Sequence, residues 1–297
     1  MLDVRKLRLL RELAHRGTIA AVAEALRYTP SAVSQQLTAL EREAGVPLLE
    51  RSGRRVVLTP AAHLLVGHTE TILAALERAD AELAGARADL VGTLRIGAFP
   101  TAARGLLSPA LVTLSTEHPH LELTVTEIDP ADAPDALRAG TLDIALTHDY
   151  DLVPADPGPA LQTEPLHTDT VYLATRHPVP AADALPTQRA APWIAGTAGT
   201  LCHTMTLRVC QAAGFTPHIR HHADDFGTVL ALVAAGAGTA IVPGMALPSA
   251  PIDLALTPLP TRRRTHLAYR TGTATHPGVH AARRALHAAA RGRPEMA

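Results

Sequence analysis

Hydroxyl and amide side chains recur on one face of the helix predicted between Pro30 and Ala44. Such groups can hydrogen-bond to base edges and to phosphates in the major groove of DNA. An ordinary solvated helix face would carry the same residue types, so the neighbouring elements decide between the two interpretations. The four residues on this face are Ser31, Ser34, Gln35 and Thr38.

Three arginines surround a Ser52-Gly53 turn shortly after that helix, within a ribbon of otherwise mostly apolar residues. Guanidinium groups around one tight turn form a wing suited to a phosphate backbone or a minor groove. Arginines that only make the surface soluble are the alternative interpretation. The three residues are Arg51, Arg54 and Arg55.

Short helices are predicted to position the polar face. The first runs from Val4 to His15, and a second begins after Thr18, which can cap it. After a three-residue turn, Thr29 is another N-cap and Pro30 takes the first helical position, where its missing N–H costs nothing. Apolar residues on the opposite side of the third helix face the core and turn the polar face outward. They are Val33, Leu37, Leu40 and Ala44.

A single long helical pattern follows over residues 60–86. Its apolar positions alternate spacings of four and three, which is the pattern of a seam between two helices. Pairing with a second copy of the chain is the simplest way to cover this stripe, and packing on the chain's own domain is the alternative. The stripe consists of Leu65, Thr69, Ile72, Leu76, Ala79 and Leu83.

The net charge of -1 hides an asymmetry along the chain of 297 residues. Residues 1–60 carry ten Arg or Lys against six acidic residues, an excess of four positive charges, whereas the remainder is acidic. Because phosphate binding depends on local potential, this predicts that only the amino-terminal end meets a polyanion.

The sequence favours a protein that stays in the cytoplasm. Arg5, Lys6 and Arg8 follow Met1 with no apolar segment behind them, so no secretory signal is predicted. Glycines and prolines interrupt the longest uncharged stretch, residues 226–252, so no membrane span is expected. Two cysteines cannot form a disulfide framework, which agrees with a reducing compartment. A cytoplasmic protein is expected.

From Thr93 onward, strands and helices alternate as in a mainly parallel α/β architecture. Strands are predicted over 94–99, 121–128, 142–147, 170–174, 218–222, 239–242 and 265–269. Helices are predicted over 103–117, 132–139, 201–213, 225–236 and 277–291. The glycines at 236 and 238 precede a strand, so they form no dinucleotide fingerprint, and adjacent Asp224 and Asp225 form no acid/base pair. A binding domain is favoured over a hydrolase, for which no active serine or metal site is recognisable.

The run GTIAAVAEALRYTPSAVSQQLTALEREAGVPLLERSGRRVVLTPAA, from Gly17 to Ala62, resembles the winged helix-turn-helix of LysR-type transcriptional regulators. The runs TLRIGAF, LRAGTLDIALTHD and DDFGTVLALVAAGAGTAIVP resemble that family's effector-binding domain. The resemblance implies an α-rich winged helix-turn-helix followed by a two-lobed α/β domain similar to periplasmic binding proteins. The implied segments are 1–59 for DNA binding, 60–86 for the dimerisation helix and 87–297 for effector binding. Within the last, lobe I covers 93–168 and 264–297, and lobe II covers 169–263.

The resemblance also implies which residues bind DNA. The chain has Pro30 then Ser31 where the commoner pattern has Gln then Pro, and Gln35 where that pattern has Arg. The departures concern the bases contacted rather than the docking of the helix. The implied DNA-binding residues are Thr29, Pro30, Ser31, Ser34, Gln35, Thr38, Arg51, Arg54 and Arg55.

In the family the effector lies between the two lobes. Backbone N–H groups at a helix start together with a threonine hydroxyl can hold a carboxylate, which favours an acidic effector. Plain helix capping is the commoner role for threonines such as Thr101 and Thr200 at a helix start, and both roles can coexist. The implied effector-binding residues are Pro100, Thr101, Ala102, Thr147, His148, Thr197, Gly199, Thr200, His203, Asp224 and Phe226.

The implied function is transcriptional regulation by homodimers or homotetramers on a palindrome in double-stranded promoter DNA, with RNA polymerase as a further partner. No cofactor, metal or membrane is expected. One alternative is a small-molecule sensor whose amino-terminal helices bind protein. Another is a redox-sensing regulator that uses Cys202 and Cys210. Metal sensing by His221 and His222 is disfavoured, because adjacent strand residues point to opposite faces.

Overall fold

The computed structural model describes residues 1–52, 55–86, 89–158, 160–251 and 253–292, and the side chains of residues 51, 52 and 55 lie outside this description. The amino-terminal part consists of three helices, a two-stranded antiparallel ribbon and a long helix. These elements are α1 (Val4–Arg16), α2 (Ile19–Leu26), α3 (Pro30–Ala44), β1 (Leu49–Ser52), β2 (Arg55–Leu58) and α4 (Pro60–Gly85).

The predicted helix starts are confirmed by their capping bonds. The Thr18 side chain accepts a hydrogen bond from the Ala21 backbone, and the Thr29 side chain accepts one from Ala32, each at 3.2 Å. Pro30 is the first residue of α3, as its missing N–H predicts. Three of the four predicted apolar residues of α3 are fully buried, and Ala44 is half-buried against the same core. The buried three are Val33, Leu37 and Leu40.

Helix α4 has two apolar faces rather than the single predicted stripe. Thr69 and Leu73 are buried against other parts of the same subunit, whereas Leu76 and Leu83 are 48% and 69% exposed. The inner face packs on α1 and on the turn at Gly272. The contact at Gly272 is close: a side chain there would place its Cβ only 2.6 Å from the Cβ of Glu77 on α4. The predicted seam therefore divides between an intramolecular contact and an apolar surface open to solvent.

An eight-stranded mixed sheet forms the rest of the fold, in the order β4-β3-β5-β10-β6-β9-β7-β8. Strands β3, β4 and β5 are parallel and form the first lobe, and β7, β8 and β9 are parallel and form the second. Between them run β6 and β10, which are antiparallel to each other and to their outer neighbours. The strands are β3 (Gly92–Ala98), β4 (Leu121–Glu127), β5 (Ile144–Tyr150), β6 (Leu161–Thr175), β7 (Pro192–Ala195), β8 (His218–His222), β9 (Thr239–Pro243) and β10 (Ala255–Arg270).

Helices cover the sheet and give each lobe its own core. Leu106, Leu267 and Leu286 belong to the core of the first lobe, and Trp193 and Leu230 are buried in the second. The helices are α5 (Pro100–Ala102), which continues through a π-turn at Ala103–Leu107 into α6 (Ser108–Glu117), then α7 (Ala133–Ala139), α8 (Leu201–Ala212), α9 (Phe226–Ala234) and α10 (Pro277–Arg291). Within the described residues, no helix has the length and apolar character needed to cross a bilayer.

Two strand predictions were too short and one strand was missed. Strands β6 and β10 extend well beyond the predicted 170–174 and 265–269, because their prolines lie at irregularities of the ladder. The register shifts after Pro258 and again beside Pro165, so the missing N–H groups are accommodated there. Strand β7 is only four residues long and was not predicted.

A buried ion pair joins the two strands that cross between the lobes. Arg263 on β10 is fully buried, and two of its nitrogens lie 3.2 Å from the carboxylate oxygens of Asp169 on β6. Its third nitrogen donates to the Thr101 hydroxyl of the first lobe at 3.2 Å. The Met245 backbone N–H, which follows β9, donates to Asp169 at 2.8 Å. One carboxylate and one guanidinium therefore tie both lobes to the crossing strands.

We expect Asp169→Asn to lower the free energy of unfolding by about 3–5 kcal/mol, because it leaves the buried Arg263 charge without a counter-charge. Urea denaturation followed by circular dichroism measures this change. The matched control is Glu117→Gln, which breaks the exposed pair with Arg284 and should cost at most about 1 kcal/mol. Equal stability of the two variants would show that the buried pair does not hold the lobes.

Candidate functional site

The polar face of α3 is open to solvent. Ser31, Ser34, Gln35 and Thr38 are all exposed, and their side chains form no hydrogen bond with other described residues. Thr29 and Pro30 are exposed at the start of the same helix, where the Thr29 hydroxyl is engaged in capping. The structure thus brings these six predicted residues together on one surface.

A carboxylate that the sequence analysis did not single out fixes the ribbon to α3. One oxygen of Glu41 accepts hydrogen bonds from the backbone N–H groups of Leu48 and Leu49, at 2.9 and 3.0 Å. The ribbon therefore starts at a fixed place beside the exposed helix face. Of the predicted wing residues, Arg54 lies outside the described residues, and so do the side chains of Arg51 and Arg55.

A cleft of about 460 Å³ lies between the two lobes. It opens beside the carboxyl ends of β3 and β4 and the start of α8, so both lobes contribute to its walls. Predicted residues that line it are Pro100, Thr101, His148, Thr197, Gly199, Thr200, Asp224 and Phe226.

Three predicted residues do not line the cleft. Ala102, the last residue of α5, is fully buried. Thr147 precedes His148 on β5 and therefore points to the other face of the sheet. His203 lies on α8, and its Nδ1 donates to the Gly196 carbonyl at 2.9 Å, so it supports the loop before α8.

The two threonines proposed for ligand contact already bind protein groups. The Thr200 hydroxyl donates to the Thr197 carbonyl at 2.9 Å and accepts from the His203 backbone at 3.2 Å. Thr200 therefore caps α8, as the alternative interpretation held. The Thr101 hydroxyl accepts from buried Arg263 and does not cap a helix.

An acidic segment that the sequence analysis missed forms much of the cleft wall. Glu127 ends β4, Asp129 and Asp132 follow it, and all three line the cavity together with Asp224 and Asp225. The carboxyl ends of parallel strands meet at one edge of a sheet, so the end of β4 was the available signal. Within the part of the chain that the structure describes, no Lys or Arg lines this cavity. At its rim, Arg104 of the first lobe lies 2.9 Å from Asp225 of the second.

His148 is the polar residue at the floor of the cleft. It is 3% exposed, and its ring meets the rings of Phe99 and Tyr150 edge-on at 4.8 and 5.2 Å. Burial, reinforced by the positive charge of Arg263, holds the pKa of His148 well below its usual value. The ring is therefore neutral at physiological pH, and its buried Nδ1 has no hydrogen-bond partner among the described residues.

The two cysteines lie on the same helix but in different places. Cys202 lines the cleft, with its Sγ 3.4 Å from the Tyr150 hydroxyl, and Cys210 is buried in the core of the second lobe. Burial raises the pKa of the Cys202 thiol, and it raises that of Cys210 to about 12. Both thiols are protonated at neutral pH, so neither has thiolate character.

One histidine of the predicted pair, His222, contacts the loop before α8. His222 shares the Gly196 carbonyl with His203, at 3.1 Å, and the two imidazole rings stack 6.0 Å apart. In the described ranges, no group of three His, Cys, Asp or Glu residues is arranged to hold a metal ion.

Comparison with protein families accounts for almost the whole chain. A family described as "Bacterial regulatory helix-turn-helix protein, lysR family" matches residues 4–63. A second, described as "LysR substrate binding domain", matches residues 87–291. Together these matches cover the helical part, the ribbon and both lobes of the sheet.

Similar curated proteins include a probable hydrogen peroxide-inducible genes activator of Mycobacterium xenopi, which is 37% identical over 168 residues, 57% of this chain and 86% of the relative. The transcriptional dual regulator GltC of Bacillus subtilis (strain 168) is 28% identical over 246 residues, 82% of this chain and 81% of the relative.

Solved structures agree with these matches. A cysteine mutant of Corynebacterium glutamicum OxyR is 26% identical, with a TM-score of 0.57 over 98% of this chain and 92% of that protein. The LysR family transcriptional regulator CbnR shares the fold at 24% identity and a TM-score of 0.51, over 96% of this chain and all of that one. With its helix-turn-helix, its ribbon and its two-lobed domain all matched, the chain belongs to the LysR family of transcriptional regulators.

Proposed function

We propose that this regulator reads a palindromic promoter site with the exposed face of α3 and responds to a small molecule in the interlobe cleft. The observation that carries the DNA-binding part is the set of exposed polar groups on α3 that bond to no other described residue, beside a ribbon anchored by Glu41. Ser31, Ser34 and Gln35 are assigned to base edges, while Thr29, Pro30 and Thr38 are assigned to the helix's docking surface. Arg51, Arg54 and Arg55 are assigned to the DNA backbone.

We assign DNA binding to residues 1–59, pairing of two subunits to residues 60–86 and effector binding to residues 87–297. The assigned effector-binding residues are the eight that line the cleft, with Ala102, Thr147 and His203 supporting them from behind. The mechanism is a change in the arrangement of the lobes that alters subunit spacing. A ligand can drive this change only if it binds the two arrangements with different affinities.

Helix α7 offers a physical route from the cleft to the DNA-binding part. Its preceding segment, 127–132, lines the cleft. Its last turn presents carbonyls to two arginines: Leu137 accepts from Arg270, and Arg138 accepts from Arg11 of α1, each at 2.7 Å. A displacement of α7 therefore changes a contact made by the first helix of the DNA-binding part.

The same two arginines also contact acidic side chains of α4 and α1. Arg270 donates to Glu77 on α4 at 2.6 Å, and Arg11 lies 2.8 Å from Glu12. Movement of α7 would thus act on α4 and α1 together. We infer that this cluster transmits the state of the cleft to the pair of DNA-reading helices.

Pairing of subunits is assigned to the exposed apolar face of α4. Leu64, Ile72, Leu76 and Leu83 are exposed large hydrophobic residues on this one helix. An apolar stripe of this kind is typical of an interface, and two-fold pairing also brings two α3 helices to one duplex. Homodimers or homotetramers are therefore the proposed form, in the cytoplasm and without enzymatic activity.

A redox-sensing regulator is the second candidate, which the relatives named for hydrogen peroxide favour. Two observations weigh against a cysteine mechanism. The raised pKa values of Cys202 and Cys210 suppress the reactive thiolate. The residues are also eight positions apart on an intact helix, about 12 Å along its axis, too far for a disulfide unless α8 unwinds. Reversible ligand binding is therefore preferred.

DNA binding is tested by fluorescence anisotropy on DNA from upstream of the chain's own gene, over a series of salt concentrations. We expect Gln35→Ala to reduce discrimination between operator and random DNA by about 1–3 kcal/mol. Arg54→Ala should weaken binding evenly across sequences and reduce the salt slope by about 1. Gln211→Ala, at an exposed glutamine on α8, is the matched control and should change nothing. A weak salt slope in the unmodified protein would favour the protein-binding sensor instead.

Subunit pairing is tested by placing charge in the proposed interface. Leu76→Glu combined with Leu83→Glu should convert the oligomer to smaller species in analytical ultracentrifugation, because carboxylates would be buried in an apolar seam. The same variant should lose at least about tenfold in DNA affinity, since two α3 helices no longer bind one duplex. Val112→Glu, at a residue as exposed as Leu83, is the control. An unchanged sedimentation pattern would place the interface elsewhere.

A further inference from the structure

The walls of the interlobe cleft carry negative charge from both lobes. Glu127, Asp129 and Asp132 belong to the first lobe, and Asp224 and Asp225 belong to the second. No Lys or Arg from the described ranges contributes to this lining, and its histidine, His148, is neutral. A ligand that enters the cleft therefore meets carboxylates on two sides.

The protein neutralises or occupies some of these carboxylates and leaves others unused. Asp225 pairs with Arg104, and Asp224 accepts hydrogen bonds from the backbone and hydroxyl of Thr197, both at 2.7 Å. Asp129 uses only one oxygen, which accepts from the Ala131 backbone at 2.8 Å.

Glu127 and Asp132 make no side-chain hydrogen bond with any described residue. Together with the second oxygen of Asp129, they leave acceptors free along one wall. These unused groups belong to the segment that leads into α7.

Two cationic groups near the cleft are already paired with carboxylates of the protein. Arg263 is fully buried, and its guanidinium is already held by Asp169 and Thr101. Arg104 is engaged with Asp225 at the rim. The positive potential that remains is the partial charge at the start of α8, where Leu201 and Cys202 have backbone N–H groups in the first helical turn.

An independent observation at the floor of the cleft points to a bound ligand. His148 is 3% exposed and lines the cavity, and its buried Nδ1 has no hydrogen-bond partner among the described residues. Buried polar groups in proteins almost always have a partner. A neutral imidazole can donate through one nitrogen and accept through the other. A polar ligand group next to His148 would therefore give the ring a hydrogen-bond partner.

We propose that the cleft binds a small molecule of the amino-acid class, with its ammonium group among Glu127, Asp129 and Asp132 and its carboxylate at the start of α8. Neutral His148 supplies a hydrogen bond from below, without adding charge. The cavity of about 460 Å³ falls within the range of small-molecule sites. The cleft's regulatory role rests on the function proposed above, but the chemistry of its ligand does not.

The experiment is isothermal titration calorimetry on the full chain without DNA. The probes are the twenty amino acids, the 2-hydroxy acid that corresponds to each, and the amine that each leaves on decarboxylation. We expect at least one amino acid to bind, with the 2-hydroxy acid at least about tenfold weaker because it lacks the ammonium group. The amine should also bind, more weakly than the amino acid.

Variants locate the binding. Asp129→Asn and Asp132→Asn should each weaken the amino acid by about tenfold or more. Asp183→Asn, at an exposed aspartate of the second lobe outside the cleft, should leave its affinity unchanged. Glu127→Gln provides a further test if either amide variant has a melting temperature below that of the unmodified chain.

Three results would overturn the proposal. The first is that no amine-bearing probe binds at concentrations up to about 10 mM. The second is that a carboxylic acid without nitrogen binds more tightly than any amino acid. The third is that the amide variants bind the amino acid with unchanged affinity. DNA binding is measured separately. An amino acid that binds a chain unable to bind DNA would refute the proposed function alone, and DNA binding without amine binding would refute this inference alone.

Discussion

The buried contact between Arg263 and Asp169 is the constraint on which the effector domain depends. Each residue comes from one of the two strands that cross between the lobes, and each also holds one lobe, through Thr101 and through the Met245 backbone. The desolvated charges are tolerable only while these bonds are intact. The floor of the cleft is therefore fixed, and a change of shape has to take place in the walls and the rim.

The two walls of the cleft differ in how many hydrogen bonds hold them. A ligand is therefore expected to displace the more weakly held wall. On one side, Thr200, Thr197 and Asp224 bond to one another and fix the start of α8. On the other, the segment 127–132 has carboxylates without a partner among the described residues and continues into α7, whose carbonyls accept from Arg11 and Arg270. A ligand that neutralises this segment would act on the side of the cleft that is linked to the DNA-binding helices.

Local signals predicted the amino-terminal part well, because caps and apolar spacing fix short helices without distant contacts. Prediction was weaker where the outcome depended on residues far apart. The run Arg262–Arg264 looks like solvated charge in the sequence, yet strand alternation buries Arg263 completely while Arg262 is exposed. The acidic cleft wall was missed for the same reason, since only the pairing of β3 with β4 brings Glu127 beside Pro100.

The central claim is that two copies of α3, held by paired α4 helices, read one duplex and respond to the cleft. DNase I footprinting of the region upstream of the chain's own gene tests it most directly. Two paired α3 helices should protect two half-sites whose centres are about one helical turn, or a multiple of it, apart. Their spacing or extent should change when the cleft is filled. A single unpaired protected patch, or no protection at about 50 mM salt, where phosphate contacts are strong, would contradict it.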